Sequence, residues 1–131
     1  MVSVLNFVLV LALAFLPSIL WLIFFLKEDR HPEPKKLIIF TFCAGALASI
    51  PVLVLQLTFQ KFIAQPLHAF LFLILGLALI EEVFKFFAAY WSVNSEPAFD
   101  EPVDAVIYAV AAALGFATIE NIFIMADKLA Y

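Results

Sequence analysis

Four runs of 23 to 25 residues, 2–26, 37–59, 67–91 and 103–126, hold almost no charge, and polar or charged stretches stand between them. A helix needs about 20 apolar residues to cross roughly 30 Å of hydrocarbon. Lipid offers no partner for an unpaired backbone N–H or C=O, so a run that enters a bilayer enters it as a helix. These residues predict an all-α polytopic membrane protein, with four transmembrane helices in a single domain over 1–131. Composition excludes the alternatives. Hydrophobic residues make up 66% of the chain and charged residues 14%, against roughly half and a quarter in a soluble domain. A small soluble domain buries only about 70% of its surface and could not hide so much apolar side chain. Disorder requires the opposite bias.

The remaining totals remove other classes. Net charge is −4, and basic residues cluster only in the stretch 27–36, so nucleic acid is not an expected partner. The lone Cys43 allows no internal disulfide, and three glycines make no phosphate-binding loop. His31 and His68 have no metal-ligand spacing and there is no HExxH, so a zinc site built from this chain alone is not expected. The first run is too long for a signal-peptide core and has no basic segment before it. Pro66 and Pro102 stand just before apolar runs, where a missing N–H costs nothing. Pro17 and Pro51 fall inside spans and are expected to bend them. Ala44/Ala48 and Gly45/Ser49 form small-xxx-small pairs, a close-packing face for the second helix. Lys27, Arg30, Lys35 and Lys36 fill the first loop, whereas Lys61 and Lys128 lie on the opposite side. The positive-inside rule then puts the first and third loops in the cytoplasm and both termini of this chain outside.

Ionisable residues inside a span cost about 2.5–3.5 kcal/mol each on insertion scales, so their presence asks for a reason. Glu81, Glu82, Lys85 and Glu120 are such residues. At 100° per residue Lys85 falls between Glu81 and Glu82, one turn on, and Ala78, Ala88, Ala89 and Ser92 share the sector. Val83, Phe84 and Phe87 point elsewhere. A narrow polar stripe facing the protein interior is the expectation. A structural ion pair would consume one Glu and Lys85, leaving a second carboxyl beside the first and a third at Glu120. Two adjacent carboxyls in a low-dielectric site do not both ionise easily. A neutral acid beside a carboxylate is the arrangement used in acid–base hydrolysis. Glu120-Asn121 sits on the fourth run, with Ala109, Ala113 and Ala117 near its side. Equal helix starts would place Glu120 one to two turns deeper than the Glu pair. Asp104 is about 24 Å from Glu120 along a straight helix and about 160° round. Beside Pro102 it also has a simpler role, favouring the helix N-terminus.

These blocks resemble a known family. Glu81-Glu82-x-x-Lys85, Phe99-Asp100-Glu101-Pro102-x-Asp104, Tyr108 and Leu114-Gly115-Phe116-Ala117-x-x-Glu120-Asn121 are similar to the signature blocks of the PrsW family of membrane proteases. Asp29-Arg30-His31-Pro32-Glu33-Pro34 resembles that family's early acidic-Pro block, one residue shorter, and Ala105 stands where the family has Gly. The resemblance covers roughly residues 25–125. It implies an intramembrane endopeptidase, distantly similar to the CAAX prenyl protease superfamily, in a bacterial cytoplasmic membrane. Its partners would be the lipid bilayer and a membrane-anchored protein substrate such as an anti-sigma factor. Glu81, Glu82 and Glu120 would be catalytic, with Lys85, Asn121 and Asp104 supporting. The resemblance leaves open a divalent metal or a glutamate-type mechanism, and this chain holds no complete metal site. The family expects further helices with an Arg and a His, so the chain is expected to be incomplete at its C-terminus. The rival reading is a non-catalytic membrane protein whose Glu/Lys cluster relays protons or ions.

Overall fold

The computed structural model describes residues 4–28, 31–62 and 67–130. They form four helices: α1 (Val4–Glu28), α2 (Lys35–Phe62), α3 (Leu67–Val93) and α4 (Pro102–Ala130). Each overlaps an expected run and overshoots it by at most a few residues. The start of α2 is set by Pro34, whose carbonyl accepts the N–H groups of Leu37 and Ile38 at 2.9 and 3.2 Å. Pro102 opens α4, where its missing N–H has no helical partner to lose. Pro17 and Pro51 lie within unbroken helices. Asp29, Arg30 and Pro66 lie outside the described residues.

Three helices are long and apolar enough to cross a membrane: Val4–Lys27, Lys35–Phe59 and Pro102–Asp127. The fourth, α3, has 27 residues and matches them in length, but Glu81, Glu82 and Lys85 interrupt its apolar run. All-α architecture and four helices thus stand as expected, with three of them meeting the apolar criterion among the described residues.

The centre of the bundle is α4, which packs on each of the other three helices. Its buried residues Ile107, Tyr108, Ala111, Ala112, Phe116 and Thr118 cover about half of the helix circumference, a broader face than the single stripe of a helix packed on one neighbour. By contrast, α1 buries only Val10, Ala14 and Ser18, one residue per turn on one face. Among the described residues its length runs along α4, and only near its end do Leu22 and Leu26 join a cluster that includes Ile38 of α2. The Thr118 hydroxyl donates to Ser18 Oγ at 2.8 Å across the α1–α4 contact.

Helices α2 and α4 cross at backbone contact. A Cβ on Gly45 would collide with the Ala112 carbonyl, and one on Gly115 with the Phe42 carbonyl. The expected small-residue face is therefore real: Ala44 and Ala48 pack on a cluster of Ala88, Ala89 and Ala112. Small side chains let membrane helices approach until dispersion contacts between backbones hold them, since lipid supplies no hydrophobic drive.

The pairing of α3 with α4 has a constant register. Val93 meets Tyr108 in one core cluster, Ala89 meets Ala112 in another, and Lys85 faces Phe116. Moving four residues back on α3 moves four forward on α4, which is antiparallel packing. The same end of the bundle gathers loop 31–34 and loop 94–101, where His31 Nδ1 lies 2.9 Å from Glu101 Oε1.

Candidate intramembrane site

One turn beyond the Lys85–Phe116 pair, the register places Glu120 opposite Glu81. The two interact electrostatically, and both interact with Lys85. The depth mismatch expected from the sequence is absent. Its assumption was that α3 and α4 end and begin at one level. The observed register carries the start of α4 about 9 Å past the end of α3, six residues at 1.5 Å each, and that offset raises Glu120 to the level of Glu81.

Lys85 is the hub of the cluster. Its Nζ donates to Glu82 Oε1 at 2.9 Å and stands 3.6 Å from Glu81 Oε2. It also lies 4.9 Å from the centroid of the Phe116 ring, close enough for a cation–π contact. The interior-facing stripe needs one correction. Glu81 and Lys85 are largely covered, but the Glu82 side chain is 71% exposed. It lies 100° round from Glu81, which carries it past α4 to the rim. Ala78 is exposed as well, whereas Ala88, Ala89 and Ser92 are buried as expected.

Sequence reasoning missed two members of the polar network. Gln56 Nε2 donates to Glu81 Oε1 at 2.6 Å, tying α2 to the carboxylates. Glu33 is buried in the loop before α2 and accepts a hydrogen bond from the Tyr108 hydroxyl. Gln56 had a weak signal, since a polar amide in an apolar run asks for a partner as a charge does. Both Glu33 and Tyr108 stand in the motif blocks, but nothing linked them.

Asp104 does not join the cluster. It is buried in the first turn of α4 and accepts from the N–H groups of Glu101 at 2.7 Å and Asp100 at 3.1 Å. A residue at the third helical position reaching back to the amide before the helix is half of a capping box. Asn121 is half-buried beside Glu120 and makes no hydrogen bond to the carboxylates among the described residues. His31 lies at the loop end of the bundle, away from the acids.

The chain matches the family described as PrsW family intramembrane metalloprotease over residues 33–130. Protease PrsW of Geobacillus kaustophilus (strain HTA426) is 37% identical over 102 residues, covering 76% of this chain and 44% of that protein. Protease PrsW of Oceanobacillus iheyensis is 32% identical over 113 residues, covering 86% and 52%. Protease PrsW of Bacillus subtilis (strain 168) is 31% identical over 99 residues, covering 76% and 45%. The chain spans about half the length of the curated relatives it matches. No solved structure matches it.

The family description implies a metal, and the residues present do not fit one. Among the described residues no group of three or more His, Cys, Asp or Glu is arranged to hold an ion. Glu81 and Glu82 instead flank the Lys85 ammonium at 3.6 and 2.9 Å, Glu120 interacts with it electrostatically, and Glu81 is further engaged by the Gln56 amide.

The motif blocks that border the cluster fall inside the matched region, and the relatives agree over three quarters or more of the chain. This is an integral membrane chain belonging to the PrsW family of intramembrane proteases.

Proposed function

We propose that the chain carries the acid–base centre of an intramembrane endopeptidase, which cleaves a membrane-anchored protein such as an anti-sigma factor. The observation that carries this reading is the cluster itself: three carboxyls, Glu81, Glu82 and Glu120, grouped about the single ammonium of Lys85 in mid-helix. A structural bridge has no use for the other two acids, each of which costs insertion energy.

In this reading Glu82, the most open of the three, takes a proton from water as the water oxygen attacks the scissile carbonyl carbon. The same proton then passes to the amide nitrogen as the C–N bond breaks, leaving Glu82 ready for another turn. Glu81, fixed by Gln56 and opposed by Glu120, shares Lys85 with Glu82 and sets the charge balance around it. The Asn121 amide is the donor for the developing oxyanion, a role side-chain amides fill elsewhere. No step passes through a metal. The charge rule would place the loop 31–34 and loop 94–101 end of the bundle in the cytoplasm and both termini outside.

The test replaces each acid by its amide, which keeps shape and removes the titrating proton. Glu81→Gln and Glu82→Gln should each lower processing of a tagged single-span substrate by about 10²–10⁴-fold, with membrane levels near wild type, and Glu120→Gln should also lower it. Lys85→Met should reduce the folded yield as well, because it strips the acids of their cation. Wild-type processing by both Glu81→Gln and Glu82→Gln would return the cluster to a structural or ion-relay role.

A further inference from the structure

Past Pro51, α2 turns polar first at Gln56 and then at Thr58, and the two side chains are used differently. The exposed Thr58 hydroxyl bonds the Val54 and Leu55 carbonyls of its own helix, which covers it without a second element. Gln56 crosses to α3, where its Nε2 donates to Glu81 Oε1 at 2.6 Å. It stands one turn beyond the fully buried Val52, so it continues the inner face of α2. The α2–α3 pairing holds it there from both sides. Ala48 packs on the cluster of Ala88 and Ala89 two turns before it, and Phe59 lies against Gly76 about one turn after it. An amide beside a carboxylate has one stable orientation, since its N–H attracts the acceptor and its carbonyl repels it.

That contact makes two neighbouring glutamates unequal. Glu81 has a partner on each oxygen, Gln56 at Oε1 and Lys85 Nζ at 3.6 Å from Oε2. One partner comes from α2 and the other from α3, so the carboxylate is held from two directions. Glu82 is engaged at Oε1 by Lys85 at 2.9 Å, and its side chain stands 71% exposed at the rim. Identical side chains one residue apart thus differ in freedom: Glu81 is pinned and Glu82 can swing. A group that takes a proton from water and hands it to a leaving nitrogen has to move between them. A group that steadies the ammonium must stay still. Without the Gln56 donor, Glu81 Oε1 is released, and both glutamates compete for Lys85.

We propose that Gln56 is a positioning residue of the acid–base centre: it pins Glu81 from α2 and so keeps Lys85 on Glu82, the acid that carries the proton. The inference rests on the protease reading above. A simple tie between α2 and α3 would change how much protein folds, but not how fast the folded protein cleaves. The experiment therefore uses the whole protein in membranes, a tagged single-span protein as substrate, and rates per folded molecule. Gln56→Met keeps length and volume but loses the donor. Thr58→Val removes the neighbouring hydroxyl and serves as control.

Gln56→Met should lower kcat by about 10–10²-fold, the scale of a small misplacement near reacting atoms, with KM within two-fold of wild type. Thr58→Val should match wild type in both. Gln56→Glu supplies the second readout. When ionised, its introduced carboxyl repels Glu81, with Lys85, Glu82 and Glu120 the other charged groups around the pair. One proton shared between the introduced carboxyl and Glu81 rebuilds an O–H···O bond where the N–H···O bond was lost. Lowering the pH by two units should therefore raise the activity of Gln56→Glu, relative to wild type at the same pH, at least five-fold. The same ratio for Gln56→Met should stay flat. A kcat for Gln56→Met within two-fold of wild type, or a Gln56→Glu ratio that does not rise, overturns the inference. Loss in Glu82→Gln together with full kcat in Gln56→Met would sink the positioning role and leave the protease reading standing.

Discussion

Glu33 sits buried at the mouth of the bundle, and a carboxylate removed from water needs donors. The Tyr108 hydroxyl supplies one, across a separation of 75 residues. Tyr108→Phe removes that donor with little change of shape, at a cost of about 1.5–3 kcal/mol for a hydrogen bond to a charged group. The thermal midpoint of the detergent-solubilised variant should fall clearly below wild type, and an unchanged midpoint would count against the contact. The acids on α3 were legible in the sequence because Glu81, Glu82 and Lys85 lie on one helix, where periodicity fixes relative direction. Gln56 and Glu33 were not, since their partners lie 25 and 75 residues away. No period within one helix says which neighbour it will face. The same limit explains Glu82: periodicity placed it beside Glu81 but could not show where α4 stops covering α3.

Among the elements, the ends of the helices were readable to within a few residues from charge and proline alone. Their offsets were not, because an eight-residue loop between Val93 and Pro102 can join two helices at many relative heights. The glycines separate two kinds of close approach. A Cβ on Gly115 meets the backbone of Phe42, which cannot move without shifting all of α2. A Cβ on Gly76 would stand 2.8 Å from the Phe59 ring, a side chain with rotamers to spare. Gly115→Ala should therefore destabilise by about 1–3 kcal/mol, the range for overpacking a filled interior. Gly76→Ala should cost far less, since the gain in helix propensity offsets part of the shift of the ring. Thermal unfolding of the two variants side by side tests the α2–α4 crossing, and equal midpoints would refute it.

At the scale of the whole molecule, the exposed surface of α1 and α2 is dominated by residues such as Leu13, Phe24, Ile39 and Leu47, which only lipid or another apolar surface can cover. Alkaline carbonate should leave the chain in the membrane pellet, with detergent needed to release it. In the Cys43→Ala chain, Ser95→Cys should react with a membrane-impermeant maleimide only after the membrane is opened from the cytoplasmic side. Labelling from outside would reverse the proposed orientation. The packing of α1 along α4 has a further consequence for synthesis. The contacting residues Ser18 and Thr118 stand 100 residues apart in sequence, so α1 leaves the ribosome with its partner still untranslated. At roughly 5–20 residues per second, about 100 residues of delay leave Ala14 and Ser18 waiting in lipid for roughly 5–20 s. Until α4 arrives, the first three helices have no centre to close around, and a nascent chain arrested before α4 is what a membrane quality-control protease would meet.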